Sequence, residues 1–239
     1  MDSIIVFLKN LFSAWPSILM GALIPVATLG VLFFFKKRKN TAFKAVLYGM
    51  ATFFASLVIV LTLLLTFSQF FIPTITASQA SSANSYIFTF GIVILLLFYG
   101  SSEALKQFSF RSVLKSERSD FAGLTFGCGF ILAQNLLVVG LIYAGEVDIL
   151  QMLVFGLLMI ICGVVYLLNS NLCFILTCEG NWMTGSASAL SYYLILAMML
   201  IFANVYVAYI TVALVLIFNL LATFYIRSRR ANKGGEKNA

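Results

Sequence analysis

Apolar residues run through this chain in long stretches, and polar residues punctuate them. A helix that crosses a membrane needs about 20 mostly apolar residues. Seven stretches meet that demand: 15–35, 43–72, 86–106, 121–143, 149–178, 187–203 and 206–226. Lys36, Lys37, Arg38 and Lys39 stop the first. The second is long enough to tilt, and Pro73 is expected to end it. Residues 74–85 are small, polar and uncharged, so they read as a flexible loop. Asn169, Ser170 and Asn171 interrupt the fifth stretch. The sixth and seventh are separated by so short a turn that they pair as an antiparallel hairpin. Residues 3–13 read as an interfacial helical turn rather than a signal peptide. Asp2 precedes Lys9, and no small-x-small site closes a short apolar region.

The predicted fold is therefore all-α, a polytopic membrane helix bundle of about seven transmembrane helices. Residues 1–226 form a single transmembrane domain and 227–239 a basic cytoplasmic tail. Composition agrees. Of the 239 residues, 62% are hydrophobic and 10% charged, where a soluble domain has about half and about a quarter. So much apolar surface does not fit inside one water-soluble core, and the bilayer becomes the solvent.

Charge supplies the orientation. Lys36–Lys39 and Lys44 flank the first loop, and Lys106, Arg111, Lys115 and Arg118 the third. Arg227, Arg229, Arg230, Lys233 and Lys237 follow the last stretch. With seven spans all of these fall on one side, and of 15 basic residues only Lys9 dissents. Basic loops stay in the cytoplasm. The N-terminus is then outside and the C-terminus inside. The net charge of +7 serves topology and anionic headgroups, not nucleic acid, because no basic stripe is interleaved with stacking aromatics.

Candidate chemistry is sparse. Histidine is absent, and Cys128, Cys162, Cys173 and Cys178 form no CxxC pair. They read as buried reduced thiols. No metal-ligand spacing and no cofactor motif occurs. Polar groups at membrane depth are costly and so draw attention. The densest set is Ser101, Ser102, Glu103 and Lys106 at the cytoplasmic end of the third stretch. Glu103 and Lys106 are three apart, share a helix face and can pair, with the lysine snorkelling to the interface. Ser102 and Lys106 are four apart, the spacing of a nucleophile with its base. Gln134 and Asn135 lie within the fourth stretch, where interhelical hydrogen bonds account for them. Gly127 and Gly129 nearby allow close helix packing, and Asn204 sits between the last two stretches.

In order and spacing these residues resemble the superfamily of glutamic-type intramembrane proteases. It includes the CAAX-processing and bacteriocin-processing enzymes and the PrsW and YhfC families, with the gamma-secretase scaffold subunit as a relative without catalytic activity. Family members carry Glu-Glu-x-x-Lys/Arg near the cytoplasmic end of one span; the matching run here is Ser102-Glu103-Ala104-Leu105-Lys106. PrsW-like members follow with Gly-x-Gly-Phe-Ala-x-x-Glu-Asn; here Gly127-Cys128-Gly129-Phe130 leads to Gln134-Asn135. The family's later His-x-x-x-Asp/Asn corresponds to Leu200 through Asn204. The first span, its basic stop and the long second span are similar to YhfC proteins. The resemblance implies a bacterial cytoplasmic membrane protein with a polar cleft between the third, fourth and sixth spans. Ser102, Glu103, Lys106, Gln134, Asn135 and Asn204 would line it.

The departures follow one pattern. One glutamate becomes Ser102, another Gln134, and no histidine exists. Neither serine nor glutamine replaces a carboxylate base. The expectation is a pseudoprotease that binds a peptide, a transmembrane segment or a partner subunit in the bilayer, with no nucleic acid. The alternatives are an active intramembrane peptidase using Glu103, or Ser102 with Lys106, and an unrelated permease subunit or immunity-type membrane protein. The charge map makes its own prediction. In a cysteine-free background, Ser81→Cys should react with an impermeant maleimide from outside, and Ser116→Cys only after permeabilisation. The reverse pattern would invert the topology.

Overall fold

The computed structural model describes residues 22–23, 25–30, 39–77, 83–114, 121–142, 149–202 and 205–235. Six long helices lie among them: α1 (Lys39–Ala77), α2 (Ala83–Ser109), α3 (Ala122–Ile142), α4 (Ile149–Cys178), α5 (Trp182–Phe202) and α6 (Val205–Gly235). A π-helical turn, Phe110–Leu114, extends α2. No strand occurs among the described residues. The architecture is all-helical, as the run lengths predicted. Phe43–Thr66, Ile160–Cys178 and Tyr209–Ile226 are each long and apolar enough to cross a membrane. Ala122–Leu137 is a shorter apolar helix. Exposed Leu65, Phe108, Leu214, Leu221 and Phe224 turn apolar side chains outward, as a membrane protein does.

Helix is the form that satisfies every backbone group within one segment. The polar residues inside the apolar runs follow the same rule. Ser56, Thr62, Thr66 and Ser109 each donate to the carbonyl four residues back, at 2.7–2.9 Å. Three boundaries differ from expectation. α1 passes through Pro73 and reaches Ala77, so the loop expected at 74–85 is shorter. Pro73 removes one backbone donor, and the helix continues for four residues past it. α4 is unbroken across Asn169, Ser170 and Asn171, and all three are buried. Their side chains face other helices, so they interrupt the apolar run without interrupting the helix. The helix α6 also continues into the tail, to Gly235.

The end of α4 is set by Gly180 with φ 88°. Its left-handed backbone lets Asn181 N–H reach Leu176 O at 2.9 Å and Gly180 N–H reach Thr177 O at 3.1 Å. The chain then turns straight into α5. Tyr166 meets Tyr192, and Cys173 meets Gly185, so α4 and α5 are antiparallel.

Close packing orders the rest. α1 and α3 run parallel, with Ala45 in one apolar cluster with Ala122 and Phe126, and Phe53 on Phe130 in the next. α3 and α4 are antiparallel, with Gly123 against Asn171 and Gly127 against Leu167. α2 packs on α1 and α5, and α6 lies outside α4 and α5. The helices α1, α3, α4, α5 and α2 thus close a ring. α4 is its central member: 78% of its most apolar stretch is buried, against 12% for α6.

Two glycines explain how α3 fits between its neighbours. Gly127 and Gly129 are about 200° apart around a helix. Gly129 takes α1, where a Cβ would lie 2.0 Å from Val46 O. Gly127 takes α4, where a Cβ would lie 3.0 Å from Leu167 Cδ2. On the other side of the first seam, a Cβ on Gly49 would lie 2.0 Å from Phe126 O. Gly49→Val or Gly129→Val should therefore cost about 1–3 kcal/mol or more, read as a lower unfolding midpoint in detergent. Gly100→Ala meets nothing within 4 Å and should leave that midpoint unchanged or slightly raised.

Candidate functional site

The polar residues of α2 occupy consecutive turns of one inward face. Ser102, Glu103, Lys106, Gln107 and Ser109 are all buried. Lys106 Nζ donates to Glu103 Oε1, the i,i+3 pair that the spacing predicted. The snorkelling lysine does not occur. Lys106 is 1% exposed, enclosed by protein, with its ammonium 5.9 Å from the centroid of the Tyr166 ring. A glutamate beside it and an aromatic face over it supply what the interface would have given.

Tyrosines form the walls around this pair. Tyr99 of α2 contacts Tyr193 of α5 at 4.8 Å between ring centroids, and Tyr193 contacts Tyr192 at 5.4 Å. Tyr192 meets Tyr166 of α4 at 4.9 Å, and Tyr166 stacks on Phe130 of α3 at 4.6 Å. Their hydroxyls take up the polar residues singled out in the sequence. Ser102 Oγ shares a 2.6 Å hydrogen bond with Tyr193 Oη and donates to Tyr99 O at 3.0 Å. Gln134 Nε2 donates to Tyr192 Oη at 2.7 Å. Ser102 and Gln134 are therefore linked to one aromatic layer, from α2 and α3 respectively. They are not in contact with each other through any bond described. Asn135 is buried one residue further, about 100° around α3 from Gln134. Asn204 lies outside the described residues.

Gln107 completes the polar face, and nothing in its spacing had marked it. Its Nε2 donates to Ser186 Oγ at 2.9 Å and to Cys173 Sγ at 3.1 Å. Its Oε1 accepts from Thr177 Oγ1 at 3.0 Å. One amide thereby ties α2 to both α4 and α5. Tyr99 Oη adds a bond to Ser186 O at 2.9 Å. The tyrosine pair at 192–193 was the missed signal: two hydroxyls inside an apolar run deserve the same scrutiny as Gln134. Cys128, Cys162 and Cys173 are free and buried as expected, whereas Cys178 is exposed at the end of α4.

The chemistry open to this arrangement is narrow. Ser102 has its proton on a backbone carbonyl and Tyr193 on its oxygen, and Lys106 faces the glutamate. The serine–lysine pair suggested by spacing is thus not assembled. Among the described residues no group of three or more His, Cys, Asp or Glu is placed to hold a metal ion. Glu103 keeps one unsatisfied atom: Oε2 is buried and has no hydrogen-bond partner. A carboxylate oxygen in that state is an acceptor awaiting a donor. The chain matches no protein-family model, no curated protein and no solved structure.

The pair can be tested by its asymmetry. Lys106→Met leaves a buried carboxylate without its counter-charge and should cost about 3–5 kcal/mol. The double variant Glu103→Gln with Lys106→Met should recover most of that loss. Unfolding of all variants in one detergent reads the coupling between the two residues.

Proposed function

We propose that this chain is a seven-span protein of a bacterial cytoplasmic membrane that binds a polypeptide partner within the bilayer and does not cleave it. The N-terminus lies outside and the C-terminus inside. Support for the topology comes from two directions. With seven crossings, fourteen of the fifteen basic residues fall on one side. The packing contacts give α1, α3 and α5 one direction and α2 and α4 the other, as successive crossings demand. With α6 and a span before Lys36, this makes seven.

The scaffold is read as that of a glutamic-type intramembrane protease with its catalytic groups replaced. One observation carries the non-hydrolytic reading. Ser102 and Gln134 stand where family members carry glutamates, and tyrosine hydroxyls hold both. Glu103 faces Lys106. Among the described residues, no free carboxylate pair stands at these positions to activate water as the family mechanism does. What remains is a capacity to bind. Glu103 Oε2 accepts a hydrogen bond from a peptide, a transmembrane segment or a partner subunit entering beside α2. Gln134 and Asn135 on α3, with Asn204, complete the proposed contact set.

Two measurements test this. Reconstituted protein should not cleave membrane peptides above the background of a Ser102→Ala, Glu103→Gln double variant. Crosslinking in native membranes, followed by purification, should recover a stoichiometric polypeptide partner. Glu103→Gln should weaken that partner's binding about tenfold or more, the worth of a hydrogen bond to a charged group. Cleavage that disappears with Glu103→Gln or Ser102→Ala would establish an active peptidase instead.

A further inference from the structure

A second feature lies just past the C-terminal end of α2, in the turn that follows the buried pair. Arg111 is exposed in the π-helical turn, and its guanidinium carbon is 4.7 Å from the centroid of the Trp182 ring. Trp182 is the first residue of α5 and is itself 40% exposed. Stacking uses one face of the guanidinium. The N–H donors lie in its plane and remain directed outward. Among the described residues no carboxylate pairs with Arg111. Tryptophan at this position is where a membrane protein meets the headgroup layer.

Exposed apolar positions lead away from the stack along both helices. On α2 they are Phe108, Ala104 and Gly100; on α5 they are Met183, Ala187 and Leu190. The spacing of four and three residues keeps each set on one helix face. Two residues on α2 are small, and a Cβ at Gly100 would meet nothing within 4 Å. From Gly100 to Arg111 a helix rises about 16 Å, close to half of the roughly 30 Å hydrocarbon core. The stripe therefore has the depth of one leaflet, with a cation at its mouth.

We propose that Arg111, held by Trp182, binds the phosphate of an anionic phospholipid, and that the stripes on α2 and α5 receive its acyl chains. A small soluble anion would use the guanidinium but leave the stripes without a role. Glu179 lies three residues before Trp182, and the selectivity proposed does not rest on net charge. It comes from the paired N–H donors of one preorganised guanidinium, whose geometry fits a phosphate in two-point contact. The site rests on the membrane reading and is independent of any partner at Glu103.

The test uses the full chain in nanodiscs of phosphatidylcholine doped with phosphatidylglycerol of the same acyl chains. Both leaflets are presented alike, so the result does not depend on which end of the protein is cytoplasmic. Native mass spectrometry should show retained phosphatidylglycerol in preference to phosphatidylcholine. Arg111→Gln should lower that retention about tenfold, and Arg111→Lys by less, since lysine keeps the charge and loses the two-point geometry. Gly100→Phe should lower it with Arg111 intact, by filling the stripe. Circular dichroism identifies any variant that has lost its helices, and Arg111→Lys keeps the comparison open in that case. Equal retention by wild type and Arg111→Gln would overturn the proposal. So would inorganic phosphate competing as well as phosphatidylglycerol, which would mark a site for small anions.

Discussion

The burial of one charge pair constrains the centre of this molecule more than any other interaction. Glu103 and Lys106 sit on adjacent turns of α2, with 6% and 1% of their surface exposed. Charges at that depth are tolerated only when paired and enclosed by polar or polarizable groups. The enclosure dictates which helices must come together. Tyr166 must arrive from α4 to cover the ammonium, and Tyr193 from α5 to meet Ser102. Gln107, next along the same face, binds α4 and α5 in turn. The positions of α2, α4 and α5 are thus coupled through polar contacts that hydrocarbon cannot replace.

The other half of the ring is held differently. Between apolar helices in a membrane there is little hydrophobic driving force, and packing contacts take over. Gly49 and Gly129 bring the α1 and α3 backbones into direct contact, and Gly123 does the same for α3 and α4. Ser170 Oγ donates to Gly123 O at 2.8 Å across that second seam. Close approach thus also satisfies a buried hydroxyl. α3 is fixed by shape and α2 by charge. The aromatic layer of Phe130, Tyr166, Tyr192 and Tyr193 is where the two halves meet.

This division bears on function. A hydrolytic site needs titratable groups free to exchange protons with water. Here Ser102 and Gln134 are each committed to a tyrosine. Beside them, Glu103 Oε2 is a buried acceptor with no hydrogen-bond partner. The binding role proposed above rests on that acceptor. The exposed guanidinium of Arg111, stacked on Trp182, stands outside this buried polar face.

Much of this was legible in the chain alone, because the bilayer imposes long-range rules that are simple. Run length set α3 and α4 to within a residue or so, and the i,i+3 spacing placed Glu103 against Lys106. The run Gly127-x-Gly129 announced close packing. The directions in which side chains met were not legible. Asn169, Ser170 and Asn171 looked like a break because periodicity reports polarity, and only a neighbouring helix makes a buried polar face affordable. Lys106 looked like an interfacial residue because nothing in its own helix revealed Tyr166 from α4 above it. Gln107, Tyr192 and Tyr193 became site residues through partners more than fifty positions away. Sequence alone determined the apolar runs and the pairing of Glu103 with Lys106, since these depend on composition and on residues one turn apart. The tertiary structure decided which groups satisfy one another, because that depends on helix rotation and on contacts between segments that the linear order leaves undetermined.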